Sequence, residues 1–115
     1  MIMRITLYLF LIFFISSCKS DAELSMERGI YYYEWQKYNE AILEFNHAKY
    51  FQLAKKKKSY DDIKLLARTH YNLAITYSKL RLFDQAIQEA QHAYNLIPNK
   101  EYRELIHLIN KEITH

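Results

Sequence analysis

Apolar residues recur along this chain at the three- and four-residue intervals of an α-helix, in five successive stretches that begin at Ala22. The first carries Leu24, Ile30, Tyr31, Tyr33 and Trp35 and is predicted to run to about Gln36. The second has Ala41, Ile42, Phe45 and Ala48 as its stripe, with Phe51 and Leu53 as extensions and Asn39 as the expected cap. It runs into four consecutive lysines, Lys55 to Lys58. Ser59 to Asp62 has the Ser-x-x-Asp spacing of a capping box and opens a third helix on Ile63, Leu66, Ala67, Leu73, Ala74, Tyr77 and Leu80. Asp84 is expected to start a fourth helix through Ala86, Ile87, Ala90, Ala93 and Leu96. Pro98 stops it, and Asn99 can cap a fifth on Tyr102, Leu105, Ile106, Leu108, Ile109 and Ile113. The 115 residues include only one Gly and one Pro, too few for the many tight turns of an all-β domain. An all-α domain of antiparallel helix pairs over residues 22–115 follows.

Two of these stretches repeat one another. Residues 37–48 align without a gap on residues 82–93, with Ala41, Ile42, Glu44, His47 and Ala48 matched by Ala86, Ile87, Glu89, His92 and Ala93. A repeat implies a stack of like units that bury their apolar faces against each other and leave an extended surface free. That points to binding before catalysis.

The repeat resembles the tetratricopeptide repeat (TPR), whose unit is a helix pair with small or bulky residues at set places. The second unit carries Leu73-Ala74-x-x-Tyr77, then Phe83, Ala86, Ala93 and Pro98; the first carries Gly29-x-x-Tyr32, then Tyr38, Ala41, Phe45 and Ala48. The resemblance covers roughly residues 22–98 and implies two TPR-like units closed by a C-terminal capping helix, or by the first half of an unfinished third repeat. Gly29, Ala74, Ala41 and Ala86 would stand where the paired helices meet closely, and Tyr32, Tyr77, Tyr38 and Phe83 would fill the wedge between them. Three departures stand out. Ala41 and Ala86 are 45 residues apart where the family repeats every 34, and the excess falls around residues 50–61, in lengthened helices or in a loop. Arg28 replaces an expected Leu, and Ala90 replaces a bulky residue. The resemblance also implies a concave groove on the first helix of each pair, lined by Met26, Ile30 and Tyr33 and by Arg68, Tyr71, Asn72, Ile75 and Lys79. Aromatic and Arg members of that set are of the type that dominates binding hot spots. The closing helix either leaves this groove partly open or folds back over it. The family's Lys/Asn clamp for a C-terminal carboxylate is not matched, since Met26 and Ile30 stand in its place.

The N-terminus carries a different signal. Ile5 to Ile15 is a continuous apolar run, too short for the roughly 20 residues of a membrane span but suited to the core of a secretory signal. It ends in Ile15-Ser16-Ser17-Cys18, which resembles the bacterial lipobox and implies a signal peptide over residues 1–17, lipidation of Cys18 and a short tether over residues 18–21. An ordinary cleaved signal peptide and a short uncleaved anchor are the alternatives. Cys18 is the only cysteine, so no intramolecular disulfide can form. Lys19, in place of the Asp that retains many lipoproteins in the inner membrane, favours the outer membrane by analogy.

Charge and composition supply no chemistry. A net charge of +3 is not the footprint of a nucleic-acid binder, and without a Gly-rich loop there is no phosphate cradle. No nucleophile–base set, HxxxH or CxxC occurs, so neither an enzyme, a metal site nor a cofactor is expected beyond the covalent lipid. His47 and His92 occupy equivalent repeat positions beside Glu44 and Glu89 and are expected on the solvent side. The lysine run reads as a solvated helix end, with anionic headgroups or an acidic partner as the functional alternative.

The expected protein is therefore a lipid-anchored, non-catalytic TPR adaptor of the bacterial cell envelope that holds a protein or peptide partner and is capable of self-association. TPR-like lipoproteins serve outer-membrane β-barrel assembly and pilus secretin assembly, and a pilotin-like factor is one alternative. An inhibitor or immunity lipoprotein binding one enzyme is another.

Overall fold

The computed structural model describes residues 2–8 and 19–114. Residues 2–8 are helical with exposed side chains; Cys18 and the rest of the apolar run, residues 9–18, lie outside the described residues. From Ser20 onward the chain forms α1 (Asp21–Glu34), α2 (Tyr38–Leu53), α3 (Tyr60–Lys79), α4 (Phe83–Leu96) and α5 (Lys100–Ile113). Among the described residues there is no strand. The fold is all-α, as the periodicity predicts.

Local chemistry explains the helix ends. The Ser20 hydroxyl accepts from the Glu23 N–H at 3.2 Å at the start of α1. The capping box at α3 is complete: the Ser59 hydroxyl accepts from the Asp62 N–H at 3.1 Å, and the Asp62 carboxylate accepts from the Ser59 N–H at 2.9 Å. That backbone hydrogen bond, with help from Lys55, pulls the Asp62 pKa down to about 2. Asn99 caps α5 by accepting from the Tyr102 N–H at 2.8 Å.

The other two starts differ from expectation. α2 and α4 begin at Tyr38 and Phe83, one residue before Asn39 and Asp84, and their N-cap residues, Lys37 and Leu82, make no side-chain cap. A pair of identical turns sets these starts instead. Gln36 and Arg81 both adopt a φ of 59°. Lys37 N–H donates to Tyr32 O and Gln36 N–H to Tyr33 O; Leu82 and Arg81 repeat the pattern onto Tyr77 and Ser78. These are Schellman turns, which satisfy the last carbonyls of α1 and α3 and launch the next helix directly. The 45-residue repeat is thus a repeat of backbone geometry too. Its excess length lies in the helices: α2 has 16 residues and α3 has 20, joined by the link Ala54–Ser59.

Each helix packs on the next, and α1 also touches α3. Ala41, Ala48, Ala67, Ala74, Ala86, Ala90 and Ala93 are fully buried, so the helices approach closely. Phe45 and Leu73 fill the space that remains in the first pair. Gly29 faces the Phe45 ring so closely that a Cβ there would lie 2.4 Å from Phe45 Cε1. Ala90, the departure from the family pattern, admits Ile109 of α5 to the second core. Arg28, the other departure, is satisfied at the surface: its Nε donates to Glu44 at 3.0 Å and its Nη2 to the Ser25 hydroxyl at 3.1 Å.

Because α5 contacts only its neighbours on one side, its cap matters. Asn99→Ala is expected to lower stability by about 1 kcal/mol and to speed amide exchange in α5 selectively, read by hydrogen-exchange mass spectrometry. Uniform exchange changes in all five helices would contradict a local role for the cap.

Candidate functional site

α1 and α3 meet where Met26 lies against Thr69, whose hydroxyl stands 3.1 Å from the Met26 sulfur. Beside that contact the two helices leave a cleft of about 320 Å³. Ile30 and Tyr33 from α1 and Arg68, Asn72 and Ile75 from α3 line it, with the edge of Phe45 reached between them. A second cleft, about 390 Å³, lies between α3 and α5; Ile75 and Lys79 border it opposite Leu105, Leu108 and Ile109. Ile75 belongs to both clefts, so the two form one interrupted surface.

Six of the eight residues expected in the groove therefore border these clefts. Two do not. Met26 is only 4% exposed and packs with Ala41, Phe45, Ala48 and Leu73 as core. It faces the point where α1 touches α3, which seals the stripe at its lower end. Tyr71 is half-buried because its ring packs on Tyr102 of α5, with centroids 5.1 Å apart. Burial, followed by the charge of Glu101, raises the Tyr71 pKa above the ordinary phenol value, and burial does the same for Tyr102. The closing helix thus covers one part of the predicted groove and leaves the rest open.

The open part is amphipathic. Ile30 is 40% exposed, and Tyr33 is steadied by an edge-to-face contact with Tyr38 at 5.5 Å. Arg68 is exposed and makes no ion pair within the described residues. Glu34 borders the same cleft, so Arg68, Glu34 and Asn72 over an apolar floor suit an extended or helical peptide that offers an acceptor to Arg68 and a donor to Glu34.

A polar cluster the sequence reading missed lies on the other side of α3. His70 is buried, and its Nδ1 stands 2.5 Å from Glu89 Oε2 of α4. Lys49 of α2 donates to Glu89 Oε1 at 3.2 Å. Glu89 therefore ties three helices together. Burial opposes its ionisation, but the His70 hydrogen bond and the Lys49 charge outweigh that and hold its pKa below the usual glutamate range. The His92 ring lies 5.1 Å from His70. His47 and His92 are exposed as expected, but Glu44 and Glu89 are largely covered and ion-paired. His70 falls on the same stripe as Leu66, Ala67, Leu73 and Ala74, and that alone marks it for burial. Its partner was not readable, because Glu89 is on another helix. Nearby, Gln52 donates to Thr69 at 3.0 Å, while its buried carbonyl oxygen has no hydrogen-bond partner among the described residues.

Among the described residues, no group of three His, Cys, Asp or Glu side chains could hold a metal ion. No helix among them is long and apolar enough to cross a membrane. No protein-family model matches the chain, and no curated protein matches it. What the geometry defines is an all-helical protein of stacked antiparallel pairs, with a half-covered amphipathic cleft on one face.

Proposed function

We propose that the protein is a lipid-anchored, non-catalytic adaptor of the bacterial cell envelope: two TPR-like units and a closing helix, held to the membrane through Cys18. Its task is to bind a segment of a protein partner in the cleft between α1 and α3. The observation that carries this reading is the juxtaposition of Ile30, Tyr33, Asn72 and Ile75 with Arg68, which has no ion pair among the described residues, around one open cleft. The matching Schellman turns 45 residues apart support the TPR-like assignment, and the lipobox-like Ile15 to Cys18 supports the anchor.

Photo-crosslinking from within the cell tests the cleft. A benzophenone amino acid at Asn72 is expected to capture one partner that the same probe at Leu43, exposed on α2, does not. Arg68→Glu or Ile75→Lys is expected to cut that capture at least ten-fold while the helical circular dichroism stays unchanged. Equal capture from Leu43, or capture that survives both substitutions, would place the binding surface elsewhere. The intact mass of protein extracted from its own cells reads the anchor: loss of residues 1–17 and a diacylglyceryl group on Cys18 are expected.

A further inference from the structure

The end of the domain nearest the tether carries features that neither the fold nor the cleft uses. We propose that Lys56, Lys57 and the exposed aromatic side chains beside them form a docking surface for an anionic phospholipid headgroup layer, and that this contact fixes how the domain stands on its membrane. The proposal deepens the adaptor reading and rests on its lipid tether for proximity.

The link Ala54–Ser59 lies beside the beginning of α1: Ser20, Asp21, Phe51, Lys55 and Asp62 border one shared depression. The four lysines of the link are not equivalent. Lys55 pairs with Asp62 at 2.9 Å, and Lys58 donates to the Lys55 carbonyl at 2.9 Å. Lys56 and Lys57 are exposed and have no carboxylate within ion-pair distance among the described residues. Of the acids at this end, Asp61 is held by Lys64 at 3.2 Å and Asp62 by Lys55; Asp21, Glu23 and Glu101 stand on α1 and α5. Lys19 is paired with Glu27. Two positive charges are therefore exposed here without a direct ion pair among the described residues, while the nearest free carboxylates, Asp21 and Glu23, belong to the start of α1.

Beside them the surface is unusually apolar. Tyr50 is 73% exposed, Leu53 55% and Tyr60 68%, and Phe51 packs edge-on against Tyr50 with centroids 6.3 Å apart. Tyrosines next to lysines suit the headgroup region, where an amphipathic ring sits between lipid and water. Reach argues for lipid over an acidic protein. Residues 18–20 span at most about 10 Å. Lipidated Cys18 would keep this end within roughly a Debye length of the headgroups, about 8 Å in physiological salt. Each lysine at an anionic surface then strengthens the contact about five-fold. Lys37 and Lys111, at the other end of the helices, are separated from it by the length of α3, 20 residues or about 30 Å, beyond the reach of that field. The acyl chains hold the protein; the patch decides which end faces the bilayer.

Amine labelling of the full-length protein tests this. Protein extracted from its own cells is reconstituted on phosphatidylcholine vesicles, with or without about 30% phosphatidylglycerol, and pulsed with an acetylating reagent. Labelling of Lys56 and Lys57 is expected to fall about three-fold or more on the anionic vesicles, with Lys37 and Lys111 unchanged and about 0.5 M NaCl restoring it. Lys56→Gln with Lys57→Gln, which spares the capping box, should abolish the protection of Lys58. Flotation on phosphatidylcholine alone reads the tether separately. If the protein floats only with anionic vesicles and shows the protection, the patch stands and the lipid anchor fails. Equal labelling on both vesicles, protection indifferent to salt, or no binding to either overturns the proposal.

Discussion

Phe45→Ala is expected to lower the unfolding free energy by about 3–5 kcal/mol, the range for a phenylalanine removed from a packed core. Phe45 is 1% exposed and touches both helices of the first pair and Leu73 of α3, so no single neighbour can collapse into the space. For a domain of this size total stability is about 5–15 kcal/mol, and the loss is a large part of it. The contact with Gly29 gives the test a second arm. Gly29→Ala alone gains about 1 kcal/mol of helix propensity, but its methyl must enter a space whose nearest atoms are Phe45 Cε1 at 2.4 Å and Cδ1 at 2.5 Å. Overpacking of that kind costs about 1–3 kcal/mol, so the single change is destabilising or neutral. In the Phe45→Ala background the ring is gone and only the propensity gain remains. The same Gly29→Ala step should then stabilise by about 1 kcal/mol. Urea midpoints of the four proteins check this, and the same sign in both backgrounds would show that ring and glycine do not oppose each other.

Glu89→Gln is expected to be nearly as costly, about 3 kcal/mol at neutral pH, because it leaves Lys49 and His70 facing a neutral group in a largely dry site. The effect has a defined pH window. The folded state holds the Glu89 pKa below its unfolded value, so its contribution is complete above about 4.3, the ordinary glutamate pKa. It is lost as pH falls through the lower folded value. Wild type and variant should therefore differ most at pH 7, and by less as the pH falls below about 4.3. A gap of constant size from pH 7 to pH 3 would mean that the carboxylate charge at Glu89 contributes nothing. Asp62, with its pKa near 2, adds to the acid sensitivity at the start of α3 in both proteins.

Much of this architecture was readable because it rests on neighbours in sequence. The Ser59–Asp62 box and the Asn99 cap join residues three apart, and the helical stripes join residues three and four apart. The Schellman turns were hidden for the opposite reason: Gln36 and Arg81 take a left-handed conformation usually given to Gly, so no residue type announced them. Asn39 looked like a cap and Asp84 like a first helical residue, but in each case the preceding turn had already fixed the helix start one residue before it. At the cleft, the sequence places Ile30, Tyr33, Arg68, Asn72 and Ile75 on one expected stripe, and all five border the open space. It could not tell that Met26, on the same stripe, is pressed against Thr69, or that Tyr71 lies under Tyr102.

The sequence by itself determined the five helices from Asp21 onward, their order, their pairing and the alanines and glycine that let them approach. These follow from side-chain period, local hydrogen bonds and the size of individual residues. Only the tertiary structure decided which groove residues stay open, how Arg28 and Glu44 satisfy each other, and that Glu89 joins His70 and Lys49 from three helices. Those contacts span 16 to 40 residues of chain. Their geometry depends on where whole helices come to rest, which the packing of all of them sets together.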